Sequence, residues 1–312
     1  MNWVTWILVI CLLVSGCNGE GSTEKPSPVE SASATTRDVP LGSCPKDALT
    51  LVSWNVMNFG SKKTDETIKR MSDILLSRGL IYRNQEKIRA NIILLQEVNA
   101  GSRTGGVQTV ARLGSALGQD WDSVTSDSTS GDGVERYAIL WEKSAFEVNR
   151  RDAYLVQDLR DAIDREPFGL RLTRGGQSFW VYSYHAVPTA KKPIREIKVV
   201  RGSAELESRS AAILAGDFNL GRTSVVDIFA GWTDHIDGKT SLKSTIGKDG
   251  SYLSYQYDHI LTKGGVRVCE SGIIDFVSLH FSPVDVENLR RAREISDHLP
   301  VYIRFTLKPE GN

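Results

Sequence analysis

Short apolar runs that end or begin with a polar side chain recur along most of the chain. TLVSWNV, NIILLQEV, RYAILWE, FEVNRRDAYLV, SFWVYSYH, AAILAGDF, YDHILTK and LPVYIRFTL all read as strands, because their apolar positions either alternate with polar ones or follow one another over a short span. Helical spacing predicts helices between them, at residues 64–78, 108–117, 194–207 and 284–293. Several strands are apolar at nearly every position, so both faces need cover. The pattern therefore predicts a layered α/β fold, with sheets packed on one another and helices outside.

Ahead of this region the patterning changes twice. Trp6 to Val14 is an apolar run too short to span a bilayer as a helix. The small residues of VSGC follow it, resembling the lipobox of bacterial lipoproteins, so residues 1–16 read as a signal peptide cleaved before a lipid-bearing Cys17. Asn18, where an Asp retains some lipoproteins at the inner membrane, points to the outer one. Residues 17–46 are rich in Ser, Thr, Pro, Gly and Glu and have too little apolar surface to offset their ordering entropy, so they read as a flexible tether. Residues 47–308 remain as one domain, and 40% hydrophobic residues supply its core.

Charge and cysteine count narrow the picture. Lys+Arg and Asp+Glu balance at 38 each, so any polyanion must be held by a local patch rather than by net charge. With Cys11 removed and Cys17 lipidated, Cys44 and Cys269 remain, an even pair that suits a disulfide in an oxidising compartment or two separate buried thiols.

The polar residues at the strand ends share a chemistry. Asn55, Glu97, His185, Asp217, Asn219, Asp258, Asp297 and His298 each sit at or beside the end of an apolar run. Singly, each has a plain reading as a turn residue, a helix cap or a core histidine. Jointly, acids, amides and imidazoles at one type of location describe a cleft, since a carboxylate beside a core is costly unless it binds a cation or accepts hydrogen bonds. The oxygen donors, with no paired-cysteine spacing, favour a hard ion such as Mg²⁺, Ca²⁺ or Mn²⁺ over structural zinc.

The ordered set Asn55, QE at Gln96–Glu97, His185, GDFN at Gly216–Asn219, Asp258 and SDH at Ser296–His298 resembles the endonuclease/exonuclease/phosphatase superfamily of metal-dependent phosphoesterases. ERYAILW from Glu135, REPFGLRL from Arg165 and YHAVP around His185 are similar to its secreted deoxyribonuclease I branch. The resemblance implies a four-layer α/β/β/α sandwich, two packed mixed β-sheets flanked by helices. It implies a divalent-metal-dependent phosphodiesterase, an exported endonuclease cleaving DNA, duplex or single-stranded, by in-line attack of water. Mg²⁺ is the expected ion, with Ca²⁺ or Mn²⁺ as alternatives. Glu97 and Asp297 would ligate it with Asn55 close by. His185 paired with Glu135, and His298 with Asp258, would flank the scissile phosphate. Asp217 would orient or activate the water, and Asn219 and Arg165 would contact the phosphate. The protein is expected as a monomer that meets the membrane only through its lipid anchor.

Two positions depart from the branch. Asn99 and Gly133 stand where its duplex-nicking members place an Arg and a Tyr in the minor groove. That loss weakens duplex grip more than chemistry. Lys191, Lys192, Arg195, Lys198 and Arg201 could track a nucleic-acid backbone or form a solvated helix face. His259 reads as structural, and His235 and His280 receive no role. Two other functions fit the same residues less well: a phospholipid or inositol-phosphate esterase of the superfamily, and a catalytically silent binding module at the cell envelope.

Overall fold

The computed structural model describes residues 44–77, 89–101, 103, 105–131 and 134–308, all within one compact unit, Thr35–Asn312. The expected signal peptide, Cys17 and most of the tether lie outside the described residues, as does Gly133. The chain forms β1 (Leu49–Phe59), α1 (Asp65–Leu75), β2 (Ile92–Asn99), α2 (Gly106–Leu117), β3 (Trp121–Thr125) and β4 (Glu135–Glu142). Next come β5 (Tyr154–Leu155), β6 (Phe168–Arg174), β7 (Gln177–His185), α3 (Pro193–Arg201), α4 (Ala204–Ser208) and β8 (Ala211–Asp217). It continues with α5 (Arg222–Ile228), β9 (Thr233–Asp234), β10 (Asp258–Gly264), β11 (Val266–Ile273), α6 (Phe276–His280), α7 (Val286–Ile295) and β12 (Val301–Leu307).

These strands make two six-stranded mixed sheets, ordered β11-β12-β1-β2-β4-β3 and β5-β6-β7-β8-β10-β9. Side-chain alternation explains how both faces are filled. Leu51, Leu94, Val181, Ile213 and Ile303 point between the sheets, while Val52, Ile93 and Leu95 face α1, α2 and α7. Tyr182 and Leu214 face the helices over the second sheet. The result is the α/β/β/α sandwich that the apolar pattern predicts.

Strand direction decides where the polar ends go. β1 and β2 run parallel, as do β7 and β8, whereas β4, β10 and β12 run antiparallel to their neighbours β2, β8 and β1. The C-terminal ends of the first four strands therefore share one edge with the N-terminal ends of the other three. Asn55, Glu97, His185 and Asp217 come from the former, and Glu135, Asp258 and His298 from the latter.

The structure adds β6, β9, α5 and α6 to the elements expected from the sequence and changes others. Residues 194–207 form two helices: α3 stops at Gly202, and Ser203 opens α4 by accepting the Leu206 N–H on its hydroxyl. FEVNRRDAYLV is mostly not strand, because the Asn149 side chain caps a single 3₁₀ turn at Arg150–Asp152 and leaves β5 only two residues. Conversely, β3 and β11 are sheet edges with polar residues on both faces, which hides the apolar pattern that marks inner strands. Cys44 and Cys269 are joined by a disulfide, with a Cα–Cα distance of 5.3 Å, tying the start of the domain to β11.

Candidate active site

The edge shared by the two sheets is shaped by unusual backbone. Gly216 has φ 149°, and a Cβ there would stand 1.8 Å from the Tyr184 carbonyl oxygen. Glycine thus lets β8 lie close against β7 and places Asp217 level with His185 across the ladder. Met57, Asn58, Glu97 and Asn219 all have positive φ, a conformation that costs on the order of 1–3 kcal/mol per residue and gathers at functional sites.

Asp217 is the hub. Its Oδ2 lies 3.6 Å from His185 Nε2 and 3.5 Å from His298 Nε2, and it accepts a 3.1 Å hydrogen bond from Asn55 Nδ2. Its Oδ1 accepts the Asn219 N–H at 2.8 Å. Each imidazole has a second carboxylate on its far side: Glu135 lies 2.8 Å from His185 Nδ1, and Asp258 2.7 Å from His298 Nδ1. Both rings are thereby fixed in orientation, with Nε2 aimed at the same carboxylate.

Electrostatics follow from this chain of charges. Burial alone would lower His185, but Glu135 and then Asp217 outweigh it, and the imidazole holds its proton above its ordinary value. Burial opposes the same rise at His298, where Asp258 and Asp217 prevail and push it up to about 10. Asp217 is raised by burial, with Asp258 adding to the effect and the two imidazoles opposing it.

Several supporting residues escaped the sequence reading. Ser296 Oγ donates to the Asn55 carbonyl at 2.6 Å and accepts the His298 N–H at 3.0 Å, and Trp54 Nε1 donates to the His298 carbonyl at 2.8 Å. Buried Glu196, on α3, accepts the backbone N–H groups of Val187, Asp164 and Arg165, so it holds the Arg165 segment against the end of β7. Lys63 donates to the carbonyls of Glu294 and Ile295 at the end of α7, and burial pushes its pKa down to about 8. These partners are distant in sequence, and of them only Ser296 belongs to a recognisable motif. Ser296→Ala removes both of its bonds at a buried position, so unfolding stability should drop by about 1–3 kcal/mol. Urea denaturation of the variant beside the wild type checks this.

A cleft of about 480 Å³ opens over the hub, lined by Asn58, Glu97, Asn99, Glu135, Arg165, His185, Asp217, Asn219 and His298 among others. Arg165 enters it with Nη1 bonded to the Ala186 carbonyl at 3.2 Å, and the Asn219 amide donates to the same carbonyl at 3.1 Å. A larger cavity of about 1140 Å³ adjoins it, sharing Asn58, Asn99 and Val134.

The model of the endonuclease/exonuclease/phosphatase family matches residues 52–298, which hold every element of this cluster. The chain belongs to that family. Its members are hydrolases of phosphodiesters and phosphate esters. No curated protein matches the chain. Among solved structures, TDP2 of D. rerio complexed with single-strand DNA product superposes with a TM-score of 0.57 at 19% identity, covering 83% of this chain and 99% of that one. A mannosyl-6-phosphatase of Bacteroides thetaiotaomicron gives a TM-score of 0.55 at 17% identity, covering 83% and 100%. A further family protein of the same organism gives 0.56 at 17%, covering 85% and 96%.

Enzymes of the endonuclease/exonuclease/phosphatase family generally use a divalent ion such as Mg²⁺, and Glu97 suits one. Its oxygens accept hydrogen bonds from Asn55 Nδ2 at 3.0 Å and the Asn58 N–H at 2.8 Å. Burial would raise this carboxyl, yet His185 and these two donors outweigh it and keep it below its ordinary value. A charged, oriented carboxylate on the cleft wall is the donor Mg²⁺ takes, because that ion keeps several waters and needs few protein ligands. Asp297 does not line the cleft; its carboxylate stands 3.6 Å from the Arg293 guanidinium. Among the described residues, no three His, Cys, Asp or Glu side chains are arranged to hold a metal ion.

The remaining candidates separate in space. Lys191 pairs with Asp164 at 2.9 Å and Arg201 with Glu207 at 2.9 Å, so the basic cluster is not one continuous track. His259 is fully buried, its ring bonded to Asp234 and to the Leu220 carbonyl, which is a structural role.

Proposed function

We propose that the protein is an exported, divalent-metal-dependent phosphodiesterase that cleaves DNA by in-line attack of water. The observation that carries this reading is Asp217 set between two imidazoles, each backed by its own carboxylate. Asp217 takes the proton of the attacking water, a task helped by a carboxyl raised above its ordinary range. A protonated imidazole opposite gives its proton to the leaving alkoxide. Arg165 and the Asn219 amide neutralise the nonbridging oxygens as charge builds on them. When bound, the metal ion adds charge neutralisation at the phosphate, and Glu97 with Asn55 beside it would hold that ion.

Two features support export. VSGC, which ends in Cys17, suits a lipid anchor at the bacterial cell envelope, and the Cys44–Cys269 bridge suits an oxidising compartment. DNA as substrate is supported by the ERY, REP and YHAVP segments and by the fold shared with a TDP2 complexed with single-strand DNA product.

Supercoiled plasmid and single-stranded circular DNA, incubated with the purified protein and either Mg²⁺ or EDTA, test the reading. Metal-dependent nicking or degradation of at least one of them is expected. Release of inorganic phosphate from a sugar monophosphate, with both DNAs intact, would replace it with a phosphatase.

A further inference from the structure

Beside the cleft, outside the residues given a role above, lies an exposed aromatic pair. The rings of Tyr255 and Tyr257 stack with centroids 4.8 Å apart and planes 7° from parallel. Tyr255 is 59% exposed, so Tyr257 covers one face of its ring and the other meets solvent. An open, flat aromatic face held in place by a second ring can stack against another planar π-system.

The pair is held rigidly and close to the chemistry. The Tyr255 carbonyl accepts the N–H groups of Thr240 and Ser241 at 2.7 and 3.1 Å, and the Gln256 amide donates to the Ile236 carbonyl at 2.8 Å. The Tyr257 carbonyl accepts the N–H of Phe218 at 2.8 Å, the residue between Asp217 and Asn219. The Tyr257 hydroxyl is 3.2 Å from Thr189 Oγ1, which also donates to the Asn219 carbonyl. Ser241 bridges to His298 across a short backbone ladder. The platform therefore hangs on the same backbone that positions Asp217, Asn219 and His298.

Its neighbours carry charge. Lys192 follows the turn containing Thr189, and Lys239 precedes Thr240. Both are exposed, and neither has an ion-pair partner among the described residues. A stacking face on loops that also carry two exposed lysines, and that are bonded to Phe218 and to the Asn219 carbonyl's partner Thr189, suits the repeating base-and-phosphate chemistry of a single nucleic-acid strand.

We infer that Tyr255, backed by Tyr257, is a stacking subsite for a nucleobase of single-stranded DNA next to the scissile phosphate, with Lys192 and Lys239 following the adjoining phosphates. This deepens the reading of the cleft as a DNA phosphodiesterase site and rests on it. Substrate is then gripped on the second sheet's side of the cleft, by the loop before β10, whereas Asn99 on the first sheet's side offers no basic contact. A base in a duplex is already stacked on both sides and cannot use such a face, so single strands are the preferred form.

Steady-state kinetics on a single-stranded oligodeoxynucleotide, and on a chain of equal length lacking every base, test this with wild type, Tyr255→Ala and Tyr255→Trp. Tyr255→Ala should raise KM for the normal strand about tenfold, the size of one base–aromatic stack, and Tyr255→Trp should restore it. On the baseless chain the three proteins should share one KM, near that of Tyr255→Ala on the normal strand. An unchanged KM in Tyr255→Ala overturns the subsite, as does an equal rise on the baseless chain or on a sugar monophosphate. If wild type cleaves neither strand, the phosphodiesterase reading fails, and fluorescence anisotropy of a labelled single strand with Mg²⁺ decides the subsite separately. Binding that weakens about tenfold in Tyr255→Ala upholds it; binding that is absent or indifferent to Tyr255 overturns it.

Discussion

Asp217→Asn lowers kcat on DNA by about two to four orders of magnitude and leaves the fold intact, the range expected when a general base is lost. The substitution preserves shape, and the Asn219 N–H can still bond to the remaining oxygen. What it removes is the acceptor for the water proton and the negative charge between two imidazoles. Burial raises Asp217 while His185 and His298 oppose the rise, so the wild-type carboxylate combines high basicity with a charged form stabilised by its neighbours. A variant with unchanged far-ultraviolet circular dichroism and more than about a tenth of wild-type kcat would remove Asp217 from the proton transfer.

His185→Ala should cost a similar factor, about two to four orders of magnitude, and Glu135→Gln shows why through pH. Burial pulls His185 down and Glu135 is the first influence lifting it. Without the Glu135 charge, His185 loses its proton at lower pH. If His185 must carry that proton to the leaving oxygen, the alkaline decline of kcat/KM moves to lower pH in Glu135→Gln, while activity well below the decline changes less. The same coupling has a stability side. A folded pKa above the unfolded value stabilises the protein fully below the unfolded pKa, near 6.5 for histidine, and that contribution is lost as pH rises through the folded value. The stability gap between wild type and His185→Ala should therefore narrow at alkaline pH. An alkaline limb at the same pH in both Glu135→Gln and wild type would show that His185 does not act as the acid.

Much of this site was legible because strand ends are the one place where a core residue type gives way abruptly to a polar one. Asp217 after Gly216, Glu97 after Gln96 and His185 after a run of aromatic residues all break an apolar pattern at the point where a cleft begins. Direction of pairing was not legible, and it is the antiparallel placement of β4, β10 and β12 that brings Glu135, Asp258 and His298 to the same edge. Glu196 and Lys63 work through backbone groups that no local pattern marks, and Ser296, although SDH contains it, also acts on the Asn55 carbonyl far away in the chain. Asp297 is marked by SDH, whereas its 3.6 Å pairing with the Arg293 guanidinium one helical turn earlier is not something the motif signals. Tyr255 carries no pattern in the sequence; the stacked Tyr257 ring and the bond from the Phe218 N–H to the Tyr257 carbonyl set it apart. Edge strands were missed for a physical reason, since a strand with one neighbour need not be apolar on either face.

Cleavage of single-stranded circular DNA in H₂¹⁸O with Mg²⁺ tests most directly whether Asp217 and the two imidazoles direct water onto phosphorus. One ¹⁸O is expected in the new phosphate terminus and none in the new sugar hydroxyl, with the product lost in Asp217→Asn. Isotope in the hydroxyl, or cleavage that persists undiminished in the variant, would contradict it.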